Sequence, residues 1–189
     1  MRPSKRDELV QKALTIFYRE GFHAAGMDLL SAETGISKTT MFKHFRTKEE
    51  LILAVLRLRD EQFRNWLFRR MEQLGPTPRD RMLAMFDALR EWFQTPEYRS
   101  CMFIKASGEY PQRDHPIHAL SAEHKRLLHR QITELAREAG AVEPEVLARA
   151  LLLLKEGAIV TAHIGHEVDP AGDARAMAEV LIDKALEKH

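Results

Sequence analysis

Glycine and proline fall in this chain where helices stop and start, and no other feature of the sequence constrains the fold as tightly. Gly21, Gly35, Gly75, Gly108, Gly140 and Gly165 each follow a helical pattern, at the position where a left-handed residue closes a helix. Pro78, Pro96, Pro116, Pro144 and Pro170 each stand where a first helical residue belongs. Thr77, Thr95 and Asp169 precede three of them as N-caps. Thr47 and Glu50 have the spacing of a capping box. Between these marks the apolar period is near 3.6, with Val10, Ala13, Leu14 and Phe17 at i, i+3, i+4 and i+7. No segment alternates with period two around a tight-turn dipeptide, so no strand is predicted. The expectation is an all-α chain with helices over residues 4–20, 27–34, 37–44, 48–74, 78–94, 96–107, 116–139, 144–164 and 170–187.

Charge divides the chain. Residues 1–81 carry 16 Lys+Arg against 11 Asp+Glu, a net +5, whereas the remainder carries 13 against 17, a net −4. A basic front and an acidic back suggest that only the front meets a polyanion, although an ordinary solvated surface explains the same numbers. The lone Cys101 excludes a disulfide scaffold and fits a reducing cytoplasm. Apolar runs such as residues 150–154 are far short of the roughly 20 residues a spanning helix needs. A soluble, cytoplasmic protein with no membrane partner is expected.

Residues 27–48 are the most informative. Two short helices meet at Thr34-Gly35-Ile36-Ser37, where Gly35 supplies a left-handed turn, Ile36 a buried plug and Ser37 the next N-cap. Helix, glycine turn and second helix is the helix-turn-helix plan, in which the second helix enters the DNA major groove. Residues 35–48 hold Lys38, Lys43, Arg46 and Lys48 and no acid. Met41 and Phe45, four apart, can face a core, which leaves Lys38, Thr39, Phe42 and Lys43 on the outer arc. Thr39 and Thr40 stand at the N-terminal end, where hydroxyls and methyls can meet base edges. A glycine turn between core helices would use the same residues, so the spacing alone leaves both readings open.

Residues from about Leu9 to Leu56 resemble the DNA-binding module of TetR-type transcriptional regulators. The resemblance rests on Ala13-Leu-Thr-Ile-Phe17, Gly21-Phe22, Met27-Asp28, the run from Gly35 to Phe45, and Lys48-Glu-Glu-Leu51. It implies that Lys38, Thr39, Thr40, Phe42 and Lys43 lie along a groove-facing helix, with His44 and Lys48 on backbone phosphate. Phe42 replaces a usual tyrosine, so one phosphate-bonding hydroxyl is missing. Ala25 replaces a frequent threonine, leaving Gly26 to cap the second helix. The implied organisation is a helix-turn-helix domain over residues 1–47 and a helical ligand-binding and dimerisation domain over 48–189.

The back half carries no comparable motif. The helix over 144–164 is apolar around most of its circumference and must be buried in a core or an interface. The resemblance implies that it pairs with the last helix in a four-helix homodimer interface, through Leu151, Leu154, Ala158, Thr161, Ala162, Met177, Val180 and Leu181. Aromatic and sulfur side chains gather between Phe63 and Phe103. Each on its own suits core packing; by resemblance they surround an effector, with Phe63, Trp66, Phe86, Trp92, Phe93, Cys101 and Met102 as candidates. Lys105, Glu109, Tyr110 and His163 are the candidate polar groups. Lys105, one helical turn beyond Cys101, is a candidate to activate its thiol. The pairs His115/His118 and His163/His166 have chelating spacing, but Pro116 and Gly165 put a member of each at a helix end, so no metal and no cofactor is assigned.

The lipase-type nucleophile elbow and the paired-histidine metalloprotease motif are absent, and Gly21–Gly26 lacks the Lys-Ser/Thr of a phosphate loop. The chain therefore reads as a non-enzymatic repressor, a homodimer on double-stranded operator DNA that a small effector releases. The alternatives are an effector-independent DNA-binding protein and a small-molecule- or metal-dependent helical enzyme.

Overall fold

The computed structural model describes residues 4–165 and 169–187. Within them the chain forms nine helices and no strand: α1 (Lys5–Glu20), α2 (Met27–Thr34), α3 (Lys38–His44), α4 (Lys48–Leu74), α5 (Pro78–Phe93), α6 (Met102–Glu109), α7 (Pro116–Glu138), α8 (Pro144–Ile164) and α9 (Pro170–Leu186). The N-caps explain most of the starts. Ser4 accepts from the Asp7 amide at 3.1 Å, Ser37 from Thr40 at 3.2 Å, Thr77 from Asp80 at 3.2 Å and Asp169 from Gly172 at 2.9 Å. Each bond satisfies an amide that the helix itself leaves unpaired and contributes about 1 kcal/mol. Thr47 accepts from the Glu50 amide at 3.2 Å, but the Glu50 carboxylate reaches back to the Arg46 amide at 2.7 Å, one residue before the usual capping-box partner.

Helix α6 departs from the sequence expectation, starting at Met102 rather than Pro96. The Thr95 hydroxyl donates to the Trp92 carbonyl at 2.8 Å, which ends α5 instead of capping a new helix. Pro96 therefore acts as a stop. The next residues follow a turn in which the Tyr98 hydroxyl donates to the Ile159 carbonyl at 2.6 Å and Ser100 adopts a φ of 69°. The glycines also divide. Gly21, Gly35, Gly140 and Gly165 have positive φ, whereas Gly75 and Gly108 do not. Gly108 lies inside α6. Gly75 is required for space, because a Cβ there would run into the backbone of Asp80 and Arg81.

By packing, the chain forms two units: residues up to 63 with 102–124, and residues 64–101 with 125 onward. Helices α4 and α7 contribute to both. The core of the first unit is built on Leu9, Ala13, Phe17, Phe22, Leu30, Met41 and Leu51, with Phe17 stacked on Phe22 at 5.4 Å. In the second unit α9 packs on α8 and α5, around Phe86, Leu151, Ile159, Ala178 and Ile182. Ion pairs join α5 to α9 through Arg79–Asp183 at 2.6 Å and Arg175–Asp87 at 3.2 Å, and Arg90 reaches the α9 cap Asp169 at 2.6 Å. Exposed pairs of this kind add about 0–1 kcal/mol each and serve chiefly to fix register; burial of the apolar side chains, about 1.5–3 kcal/mol apiece, carries the packing.

Gly75→Ala is expected to destabilise the protein by about 1–3 kcal/mol through overpacking against Arg81, measured as a lowered midpoint in urea; an unchanged midpoint would contradict the close approach.

Candidate nucleic-acid interface

The turn between α2 and α3 is tied down from within. Gly35, at φ 69° and ψ 17°, is left-handed and donates to the Ser31 carbonyl at 3.2 Å. Thr34 is buried; its hydroxyl donates to the Leu30 carbonyl at 2.6 Å and accepts from the Ile36 amide at 3.2 Å. Ser31 donates to the Ile36 carbonyl at 2.9 Å, and Lys12 of α1 donates to the Thr34 carbonyl at 2.8 Å. With Ile36 buried as a plug, the angle between α2 and α3 is set by bonds on every side of the turn.

Helix α3 then presents two faces. Met41 and, at its end, Phe45 are buried, and the Arg6 guanidinium lies 5.0 Å from the Phe45 ring centroid. Lys38, Thr39, Phe42, Lys43 and His44 are exposed. Phe42 keeps 49% of its surface open, unusual for a phenylalanine without a partner. Thr40 is half-buried, and its hydroxyl lies 3.0 Å from that of Ser37, within the cap. Lys38 pairs with Asp28 across the turn. Lys43 and His44 form no ion pair with the described residues.

Lys48 differs from its sequence expectation. Its ammonium donates to the carbonyls of Phe22 at 2.9 Å, His23 at 3.4 Å and Ala25 at 3.5 Å. The ammonium therefore rests on the loop before α2, whose carbonyls it gathers. The same loop is gripped by Glu109 of α6, whose carboxylate accepts from the Phe22 amide at 2.9 Å and the His23 amide at 2.5 Å. Lys105 donates to the Tyr18 carbonyl at 3.3 Å and lies over the Tyr18 ring. Burial, followed by the Glu49 and Glu109 carboxylates, pushes the neighbouring Tyr110 hydroxyl up to about 12, so it stays protonated. The Glu109 and Lys105 hydrogen bonds join residues more than eighty apart, and no local pattern announces them. Gly26, lacking a side chain, leaves α2 without a side-chain cap.

The residues proposed to surround an effector fall into separate groups. In the first unit Phe63 and Met102 are buried, and Phe63 meets the His124 ring edge-on at 6.0 Å. In the second unit Phe86 is core, while Trp66, Trp92, Phe93 and Tyr98 form a ring cluster that His163 approaches through Tyr98. Cys101 is buried, and its sulfur accepts from Lys125 at 3.4 Å. Helix α6 begins at Met102, immediately after Cys101. His115 and His118 bond backbone groups through their Nδ1 atoms. His166 lies outside the described residues, among which no cluster of three or more His, Cys, Asp or Glu is placed to hold a metal.

The faces of α8 and α9 are also resolved. Leu151 and Ala158 are buried within their own unit against the other helices, which removes them from any surface where α8 meets a second chain. Leu154, Thr161 and Ala162 are half-buried. The exposed stripe of α8 is Val146, Leu153 and Val160, seven residues apart, with Ile164 four residues further and Leu153 75% exposed. On α9, Met177, Val180 and Leu181 are exposed. The sequence showed a helix apolar all round and could not assign its sides. No helix among the described residues is long and apolar enough to cross a membrane.

Known proteins share this arrangement. Residues 9–55 match the model of bacterial regulatory proteins of the tetR family. The chain is 22% identical to the HTH-type transcriptional regulator YjdC of Escherichia coli, over 94% of its own length and 93% of that protein. It is 31% identical to the HTH-type transcriptional repressor KstR2 of Mycolicibacterium smegmatis over 120 residues, which span 59% of this chain and 55% of the other. The crystal structure of a TetR-family transcriptional regulator from Streptomyces coelicolor superposes with a TM-score of 0.90 at 27% identity, covering 98% of this chain and 92% of that one. With the family match lying on the helix-turn-helix and the nine-helix fold shared along nearly the whole chain with a TetR-family regulator, the chain carries a tetR-family DNA-binding module over residues 9–55 and is a DNA-binding transcriptional regulator.

Proposed function

We propose that the protein is a homodimeric cytoplasmic repressor that a small-molecule effector releases from operator DNA, and that it works by binding rather than by turnover. The observation that carries the reading is the outer face of α3. It is exposed and cationic, and it stands on a turn bonded too tightly to adapt. In this reading residues 1–47 bind DNA and residues 48–189 dimerise and hold the effector. Thr39 reads base edges and Phe42 meets a thymine methyl. Lys43 and His44 take phosphate, and Lys38 exchanges Asp28 for phosphate on docking. Lys48 and Thr40 act indirectly, by holding the loop and the cap in place. One similar protein is named a repressor and another an activator, and repression is the sign proposed here.

Dimerisation is supported by the heptad stripe of α8 and the apolar patch of α9, which together leave Leu153, Val160, Met177 and Val180 in water in one chain. Two copies pairing these faces form a four-helix interface, and a two-fold dimer matches half-sites about 34–36 Å apart. Helix α4, shared by both packing units, is the element through which effector binding reaches α3. Linkage then requires that DNA weaken effector binding by the same factor by which effector weakens DNA binding.

Selection of bound duplexes from a random pool tests the whole reading and is expected to return a two-fold repeat. Lys43→Ala is expected to weaken binding to all sequences alike and reduce the salt slope by about 1, whereas Thr39→Ala shifts base preference at one position per half-site. Lys48→Met is expected to lower the melting temperature and leave the salt slope of the remaining binding unchanged; a flattened slope would put Lys48 back on phosphate. Leu153→Asp combined with Val180→Asp is expected to yield a helical monomer by analytical ultracentrifugation, with operator affinity reduced at least ~10-fold.

A further inference from the structure

Three buried polar atoms follow one side of α7 in the second unit, and none has a hydrogen-bond partner. Helix α7 carries Lys125, His129 and Thr133 at i, i+4 and i+8, which places successive members of the series about 5–6 Å apart along one side of the helix. Lys125 donates to Glu156 Oε1 of α8 at 2.7 Å, which fixes that carboxylate at one end of the series. Lys155 bonds the same oxygen at 2.7 Å. The other oxygen, Glu156 Oε2, is buried and accepts no hydrogen bond, and His129 Nε2 and Thr133 Oγ1 are likewise buried and unpartnered. Thr133 keeps only 6% of its surface open. Burial pushes the Glu156 carboxyl up, but the two ammonium groups more than offset it and hold it at about 2, so Oε2 is a charged acceptor.

Buried polar groups are nearly always hydrogen-bonded, and a half-satisfied network is less stable than an apolar one. Here the unmet groups have a definite chemistry. Oε2 is ionised and can only accept, so whatever meets it brings a donor. An ammonium there would be repelled by Lys125 and Lys155, and a second carboxylate by Glu156 itself. A hydroxyl donates and accepts at once, which suits the Thr133 hydroxyl and either tautomer of His129. We infer that this line of atoms binds a neutral small molecule with adjacent hydroxyls, one donating to Glu156 Oε2 and another bonding His129 Nε2 and Thr133 Oγ1. The inference names the chemical class of the effector and rests on the ligand-relieved reading above. A ligand without the hydroxyls leaves Oε2 unpaired, so discrimination against it is steep. A structural water would satisfy the same atoms differently: it belongs to the fold, and losing its partners costs stability. A ligand site instead leaves the unliganded protein with a liability that an apolar replacement removes.

The test uses the full chain with catechol, cis-1,2-cyclohexanediol and myo-inositol, each beside its fully O-methylated form, in calorimetric titrations and thermal melts without DNA. At least one hydroxylated probe is expected to bind ~10-fold or more tightly than its ether and to raise the melting temperature. Thr133→Val keeps the shape and removes the hydroxyl. It is expected to melt no lower than the parent and to weaken that probe by at least ~10-fold, with no change toward the ether. His129→Phe gives the same loss. A lowered melting temperature in the unliganded Thr133 variant would assign the hydroxyl to a structural bond or water and overturn the site. So would a panel in which no probe outperforms its ether, or variants that bind as the parent does; in each case DNA binding stands unaffected. Probe binding that leaves operator affinity unchanged upholds the site and counts against ligand-relieved repression.

Discussion

The DNA-facing surface depends on the hydrogen-bonded turn from Thr34 to Ser37. A recognition helix of only seven residues, Lys38–His44, is too short to hold itself together in water. Its geometry is imposed from its ends. Gly35 allows the left-handed step, Thr34 spends its hydroxyl on both sides of the bend, and Ser37 caps the first turn. Met41 and Phe45 then anchor the inner face in the core of the first unit. The outer residues need satisfy nothing inside the protein, which is why cationic and exposed apolar side chains coexist there without cost to the fold.

The same residue type plays opposite parts according to its surroundings. On α3, Lys43 is exposed and forms no ion pair with the described residues. Lys48 lies ten residues from Lys38 in the same basic run, yet its ammonium rests on backbone carbonyls of the loop before α2. Lys155 has been taken out of water altogether and is held against Glu156. Local net charge therefore marks a surface that can meet DNA, but does not say which of its lysines do.

Much of this was legible because helices announce themselves locally. Thr77, Asp169 and Ser37 cap by bonding residues three positions on, and the 3.6 period of α1 lies within one short segment. Where expectation failed, the deciding contact was distant. Pro96 looked like a helix start, but Thr95 closes α5 and Tyr98 is bonded to Ile159 on α8. Gly75 looked like a left-handed cap, but what requires a glycine there is the backbone of Arg81. Glu109 gave no local sign that it holds the amides of Phe22 and His23. Leu151 and Leu153 are indistinguishable in sequence, and only packing puts one in the core and the other in water.

That division bears on how a regulator of this kind evolves. The DNA-binding module is specified by short-range rules, so its sequence signature is dense and it matches the family model over residues 9–55. Helices α5 to α9 are specified by apolar pattern and by side-chain pairs such as Arg79–Asp183, which many sequences can supply. That fold is shared with the Streptomyces coelicolor regulator at 27% identity. The turn from Thr34 to Ser37 has no such latitude, because each of its bonds is made by a particular side chain.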